Sequence, residues 1–139
     1  MPGTRRKART VALQSLYEVD CVGHDAGETL SRLLEERELF HDGAGFARQL
    51  VQGVMANRDK IDSTIQAYAP AWPVDQMAVI DRNVLRLAIF ELLFNNKVPP
   101  KAVINEAVEL AKAFGSDNSA RFVNGVLGSV LASTQNKGK

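Results

Sequence analysis

The chain has 139 residues, 45% of them hydrophobic, which is enough for one self-supporting core and too short for a second large domain. Its single cysteine, Cys21, and two histidines, His24 and His41, exclude an internal disulfide and a His/Cys zinc site, and no apolar run reaches the ~18 residues of a membrane span, so a cytoplasmic location without a membrane partner is expected. The net charge of +1 is unevenly placed: Arg5, Arg6, Lys7 and Arg9 fall in the first nine residues with no acid among them, leaving the remainder net negative, and a local basic cluster of this kind attracts polyanions.

Apolar spacing predicts helices throughout. Ala8, Val11, Ala12, Ser15, Leu16 and Val19 recur at 3.6-residue spacing and predict a first helix over 5–21, with Thr4 as its N-cap. A second helix is expected over 29–38 on Leu30, Leu33 and Leu34, and a third over 44–56 on Phe46, Ala47, Leu50, Val51 and Val54. Asn57 and Asp59 introduce a short fourth helix that must end at Ala69, because Pro70 follows. Pro70-Ala71-Trp72-Pro73 then forms a stiff corner. Residues 75–95 are apolar around most of the helical circumference and predict one central, buried helix. After Pro99-Pro100, a sixth helix carries Val103 to Phe114 with Gly115 at C′. A seventh follows Asp117-Asn118-Ser119 and is expected to bury Phe122, Val123, Val126, Leu127 and Val130. Gly125 inside it costs roughly 1 kcal/mol relative to Ala, which points to a compensating packing contact or functional approach, with packing favoured. With no period-2 alternation and no hairpin signal, the fold class is all-α: about seven helices in one domain over 1–133, followed by a flexible polar tail over 134–139.

Catalytic patterns are missing from the sequence. Cys21 and His24 lack an orienting acid, Glu106 and Glu109 read as carboxylates on a solvated helix face or as salt-bridge partners, and there is no phosphate-binding glycine loop. No catalytic residue, metal ligand or cofactor is assigned, and the chain is not expected to be an enzyme. The first helix is more informative. At ~100° per residue, and with Arg6 at zero, Tyr17 lies at about 20°, Thr10 at about 40°, Gln14 at about 80°, Lys7 at about 100° and Arg9 at about −60°, while the apolar stripe centres at about 200°. The outer face is therefore cationic, polar and aromatic, a combination suited to single-stranded RNA. Tyr17 on that face can stack on a base, pack on the bundle or meet a protein partner. Asp75 and Asp81 flank the start of the central helix, either as N-terminal acids or as contacts for a basic partner. Arg86, within an apolar helix, needs a buried acid, and Glu106 is the expected partner.

The string Asp81-Arg82-Asn83-Val84-Leu85-Arg86-Leu87-Ala88-Ile89-Phe90-Glu91-Leu92, followed by Val103-Ile104-Asn105-Glu106-Ala107-Val108-Glu109-Leu110-Ala111-Lys112, Phe114-Gly115 and Phe122-Val123-Asn124-Gly125-Val126-Leu127, closely resembles the NusB family. The basic start leading into Ala12-Leu13-Gln14-Ser15-Leu16-Tyr17 is similar to that family's arginine-rich first helix, whereas 22–45 fits only in length and helical character. The resemblance implies two packed helical bundles and no catalysis. It also implies binding of boxA RNA in ribosomal RNA leaders as a pair with the ribosomal protein NusE, within an RNA polymerase antitermination complex that resists Rho-dependent termination. By position it implies RNA contacts at Arg5, Arg6, Lys7 and Arg9 and, beside the RNA path, at Asn118, Ser119 and Phe122; Gln14 joins them from the helix face. Tyr17, Asp75 and Asp81 match positions that meet NusE. Three departures stand out: Lys7 replaces an arginine, Asp75 and Asp81 are shorter than the usual Glu, and Asn118 stands where an acid is frequent. The alternative is a helical protein adaptor without RNA recognition. An apolar partner surface could also pair two copies of the chain, and the sequence leaves homodimerisation open.

Overall fold

The computed structural model describes residues 2–137, and every described element is helical. The order is α1 (Pro2–Val22), α2 (Ala26–Glu36), α3 (His41–Ala56), α4 (Arg58–Tyr68), a 3-10 turn at Val74–Gln76, α5 (Val79–Ile89) continuing into a π-helical turn at Phe90–Asn95, α6 (Pro100–Phe114) and α7 (Ser119–Lys137). Helices α1–α3 pack on one another, α4–α7 form a second bundle, and the two meet where α1 lies against α5. This is the all-α, two-bundle architecture that the helical periodicity and the family resemblance imply. No helix among the described residues is long and apolar enough to cross a membrane.

Local chemistry shifts several boundaries. Helix α1 begins at Pro2, not after Thr4, because proline is tolerated where the N–H has no intrahelical acceptor. Helix α2 begins three residues early: the Asp25 side chain accepts a hydrogen bond from the Glu28 backbone N–H at 2.9 Å, in a pattern like a capping box. Helix α7 runs on to Lys137, past the boundary expected at 133, while residues 138–139 lie outside the described residues. Gly115 ends α6 at φ −96°, not in the left-handed region. It is needed for close approach, since a Cβ there would press on the Ser119 side chain and sit 2.7 Å from the Ala111 carbonyl oxygen. Gly125 does not meet the packing contact expected of it, because a Cβ there would touch nothing within 4 Å.

The expected single helix over 75–95 is interrupted. Met77 and Ala78 are extended (ψ 153° and 136°), so α5 starts only at Val79. The corner before it is stapled by Gln66, whose amide donates to the Ala69 and Trp72 carbonyls and whose oxygen accepts from the Val74 N–H. Residues 83–92 are all buried, as a helix apolar on most sides must be. At its far end the π turn brings Phe90 against Gly53 of α3, where any Cβ would collide with the ring. The core is filled by Leu13, Leu50, Ile61, Ile65, Leu85, Ile89 and Leu127, all essentially inaccessible to solvent, each contributing about 1.5–3 kcal/mol by burial.

Two polar clusters rivet α1 to α5. Near the start of α1, Arg9 donates from Nε and Nη2 to both Glu91 carboxylate oxygens at 2.9 and 2.8 Å, and both side chains are buried. Near its end, Asp20 accepts from Arg82 Nε and Nη2 (2.7 Å each), Asn83 Nδ2 (2.9 Å) and Arg86 Nη1 (3.1 Å). Arg86 also forks onto Asp62 of α4 at 2.8 and 3.0 Å. Its expected partner, Glu106, is not involved, because Arg86 faces α1 and α4 rather than α6. Pairings of Arg9 with Glu91 and of Asp20 with Arg82 and Arg86 make α1 and α5 antiparallel.

Burial by itself would raise the Asp20 carboxyl, but hydrogen bonds from Arg82 and Asn83 and the charges of Arg82 and Arg86 outweigh it and lower its pKa from 3.8 to about 2. A carboxyl depressed on folding stabilises the fold above its ordinary pKa and loses that contribution as pH falls through the folded value. Stability should therefore decline between pH 3.8 and about 2, and Asp20→Asn should be less stable at neutral pH with a flatter acid decline, as read from denaturant midpoints across that range. Arg9→Ala leaves Glu91 charged and unpaired in the core, and equilibrium unfolding should show a loss of about 3–5 kcal/mol.

Candidate functional site

The rotation of α1 decides what its outer face presents. Arg5, Arg6 and Lys7 are exposed, Thr10 and Gln14 are half-buried, and Tyr17 is 42% exposed. Arg6 and Tyr17, eleven residues apart, share one flank about 16 Å long. Arg9 is not part of that flank. It is 5% exposed, bonded to Glu91 and set over the Phe46 ring at 5.2 Å, so the residue expected as an RNA contact is held in the seam between the bundles. Lys7 and Arg9 sit equally far round the helix from the apolar stripe, and packing of Phe46 and Glu91 on one side alone buries Arg9.

The exposed cations are held differently. The Arg5 guanidinium lies 4.6 Å from the Phe46 ring centroid. Arg6 donates from Nε and Nη2 to the two Glu106 oxygens at 3.1 and 3.0 Å. The hydrogen bond to Glu106 and its charge, with a smaller contribution from Glu109, raise the Arg6 pKa against a slight opposing desolvation. Lys7 has no ion pair among the described residues. The Thr10 hydroxyl donates to the Arg6 carbonyl at 3.1 Å.

Further along, Gln14 and Tyr17 line a groove of about 470 Å³ with Leu13, Leu33, Ile80 and Phe114. Within it Gln14 Oε1 is buried with no hydrogen-bond partner. The nearby Cys21, one helical turn on, and to a lesser extent burial raise the Tyr17 phenol pKa above its ordinary value. A second groove, of about 350 Å³, lies between the 70–78 corner and the start of α7 and brings together Trp72, Met77, Asp81, Asn118 and Phe122. Asp81, in the first turn of α5, makes no capping bond, and its Oδ1 is buried without a partner.

Asn118 is exposed and Phe122 is half-buried, less than its helical position suggested. Ser119, expected beside the RNA path, is 1% exposed, and its Oγ accepts from the Ser116 N–H at 2.9 Å and lies 3.2 Å from Ser116 Oγ. Its hydroxyl therefore fixes the turn that presents Asn118. Asp75 is exposed in the 3-10 turn, in a different, polar depression lined by Asp20, Arg58, Asp62 and Arg82. The structure thus joins Asp81 with Asn118 and Phe122, and sets Tyr17 and Asp75 in separate neighbouring surfaces.

Sequence reasoning missed four participants. Phe46 read as a core residue and Glu106 as a solvated-face acid or the partner of Arg86, and their contacts with Arg5 and Arg6 come from distant elements. Trp72 and Phe114, 60% and 40% exposed, carry only the signal of an aromatic beside a proline corner or a helix end.

The NusB family model matches residues 6–132. The transcription antitermination protein NusB of Dehalococcoides mccartyi (strain CBDB1) is 52% identical over 99% of this chain and 98% of its own, and that of Roseiflexus sp. (strain RS-1) is 48% identical over 95% and 94%. Among solved structures, antitermination factors NusB and NusE in complex with double-stranded RNA include a chain that superposes with a TM-score of 0.88 at 30% identity, covering 96% of this chain and 99% of that one. With a matched span that runs from Arg6 through most of α7, this chain belongs to the NusB family of transcription antitermination proteins.

Proposed function

We propose that this chain is an RNA-binding antitermination factor of the cytoplasm. It holds the boxA element of ribosomal RNA leader transcripts together with NusE, within an RNA polymerase antitermination complex that resists Rho-dependent termination. One observation carries the reading: Arg5, Arg6 and Lys7 stand exposed at the start of α1, and Arg6 shares its flank of the helix with the exposed Tyr17. Lysine and arginine neutralise phosphates, and planar rings and amides receive unpaired bases. The double-stranded RNA in the related NusB and NusE complex supports binding of RNA and of NusE.

In this reading Arg5, Arg6 and Lys7 bind phosphates, while Gln14, Asn118 and Phe122 lie beside the strand and Ser119 shapes the turn under it. Tyr17, Asp75 and Asp81 face NusE. The shared groove of Asp81, Asn118 and Phe122 lets the protein partner and the RNA adjoin, so that each is expected to strengthen binding of the other.

Gel shifts with boxA and scrambled RNA, with and without NusE and across salt concentrations, test the reading. Affinity should fall steeply with salt, and Arg6→Ala should weaken binding and reduce the log–log slope by about 0.7, one phosphate on a single strand. Arg9→Ala, assayed where it is folded, should leave that slope unchanged. NusE capture without any RNA shift would instead favour the adaptor alternative. Asn118→Asp places a carboxylate beside the polyanion and should weaken RNA binding by the chain alone; unchanged or tighter binding in the same assay would remove Asn118 from the path.

A further inference from the structure

Arg6 is the one exposed cation of α1 that the second bundle grips. Glu106, on α6, accepts from its Nε and Nη2 at 3.1 and 3.0 Å, and the two side chains differ in access: Arg6 is 62% exposed and Glu106 is 23% exposed. The carboxylate is therefore the inner partner and the guanidinium the outer one. A guanidinium carries five N–H donors in a planar fork. Glu106 engages one edge, and the edge formed by Nη1 and the second Nη2 hydrogen stays unused, with the spacing that takes a phosphate or carboxylate through two parallel bonds. Lys7, by contrast, is a point charge on a free stem.

We propose that Glu106 is a positioning residue for RNA recognition: it holds the Arg6 guanidinium on the frame of the second bundle so that the unused edge meets one backbone phosphate in fixed register. This inference rests on the RNA-binding reading above. Its two physical consequences oppose one another. A carboxylate close to a polyanion repels it, so Glu106 weakens binding to any RNA. Ordering Arg6 before contact fixes where the strand lies, so Glu106 sharpens the difference between the cognate RNA and others, because phosphate contacts set register for the groups that read bases. A residue that merely braced the fold would move both affinities together.

The test uses the full chain with NusE, and measures affinities for a boxA oligoribonucleotide and a scrambled one of equal length for wild type, Glu106→Gln, Arg6→Ala and the double variant. Thermal unfolding confirms that each is folded. Glu106→Gln should lower the boxA-to-scrambled affinity ratio by about fivefold, as loss of preorganisation predicts, with scrambled RNA bound as well as or better than before. In the Arg6→Ala background it should have no further effect on the ratio. A Glu106→Gln ratio equal to wild type, or an effect undiminished without Arg6, overturns the inference while leaving the RNA reading in place. If Arg6→Ala leaves both affinities at wild-type values, the reading falls and the inference with it.

Discussion

The arrangement of this molecule depends on the buried ion pair between Arg9 and Glu91. A charge pair in a core contributes little net stability, because desolvation offsets most of the attraction, but leaving either member alone is strongly unfavourable. The pair therefore acts chiefly on specificity: α1 can dock on α5 only in the rotation that lets a bidentate fork close on the π turn. Phe46 and Gly53 of α3 complete that environment, the first beneath the Arg9 guanidinium and the second making room for the Phe90 ring.

With its start fixed there and its end held by Asp20 against Arg82 and Arg86, α1 is a rod pinned at both ends to the central helix. Its outward face then follows without further choice. Arg5, Arg6 and Lys7 lead and Tyr17 follows three turns later, with Gln14 turned toward the groove beside Phe114. Because α1 is both the seam between bundles and the carrier of exposed cations, the chemistry of that surface is tied to packing. Side chains that would otherwise be mobile gain supports from other elements: Arg5 from α3 and Arg6 from α6.

The second contributor to the surface is the corner over 69–78. Gln66 holds it through three hydrogen bonds, and the extended Met77 and Ala78 delay the start of α5. This delay puts Asp75 and Asp81 on different surfaces instead of one helix start. It also sets Asp81 beside Asn118 and Phe122, residues more than thirty positions away in the chain.

What the amino-acid sequence determined by itself is what local periodicity and backbone chemistry govern: seven apolar stripes at helical spacing, the proline stops, the basic first helix and the family motifs of the second half. The break at Met77, the π turn, the π-side partner of Arg9 and the acid that meets Arg6 were decided only in three dimensions. Lys7 and Arg9 show why. Each lies about 100° from the centre of the same apolar stripe, so the helix alone treats them alike. The distinction between a solvated cation and a buried one comes from an aromatic ring on α3 and a carboxylate 82 residues onward, because desolvation and pairing of a charge depend on which surfaces close over it, not on its neighbours along the chain.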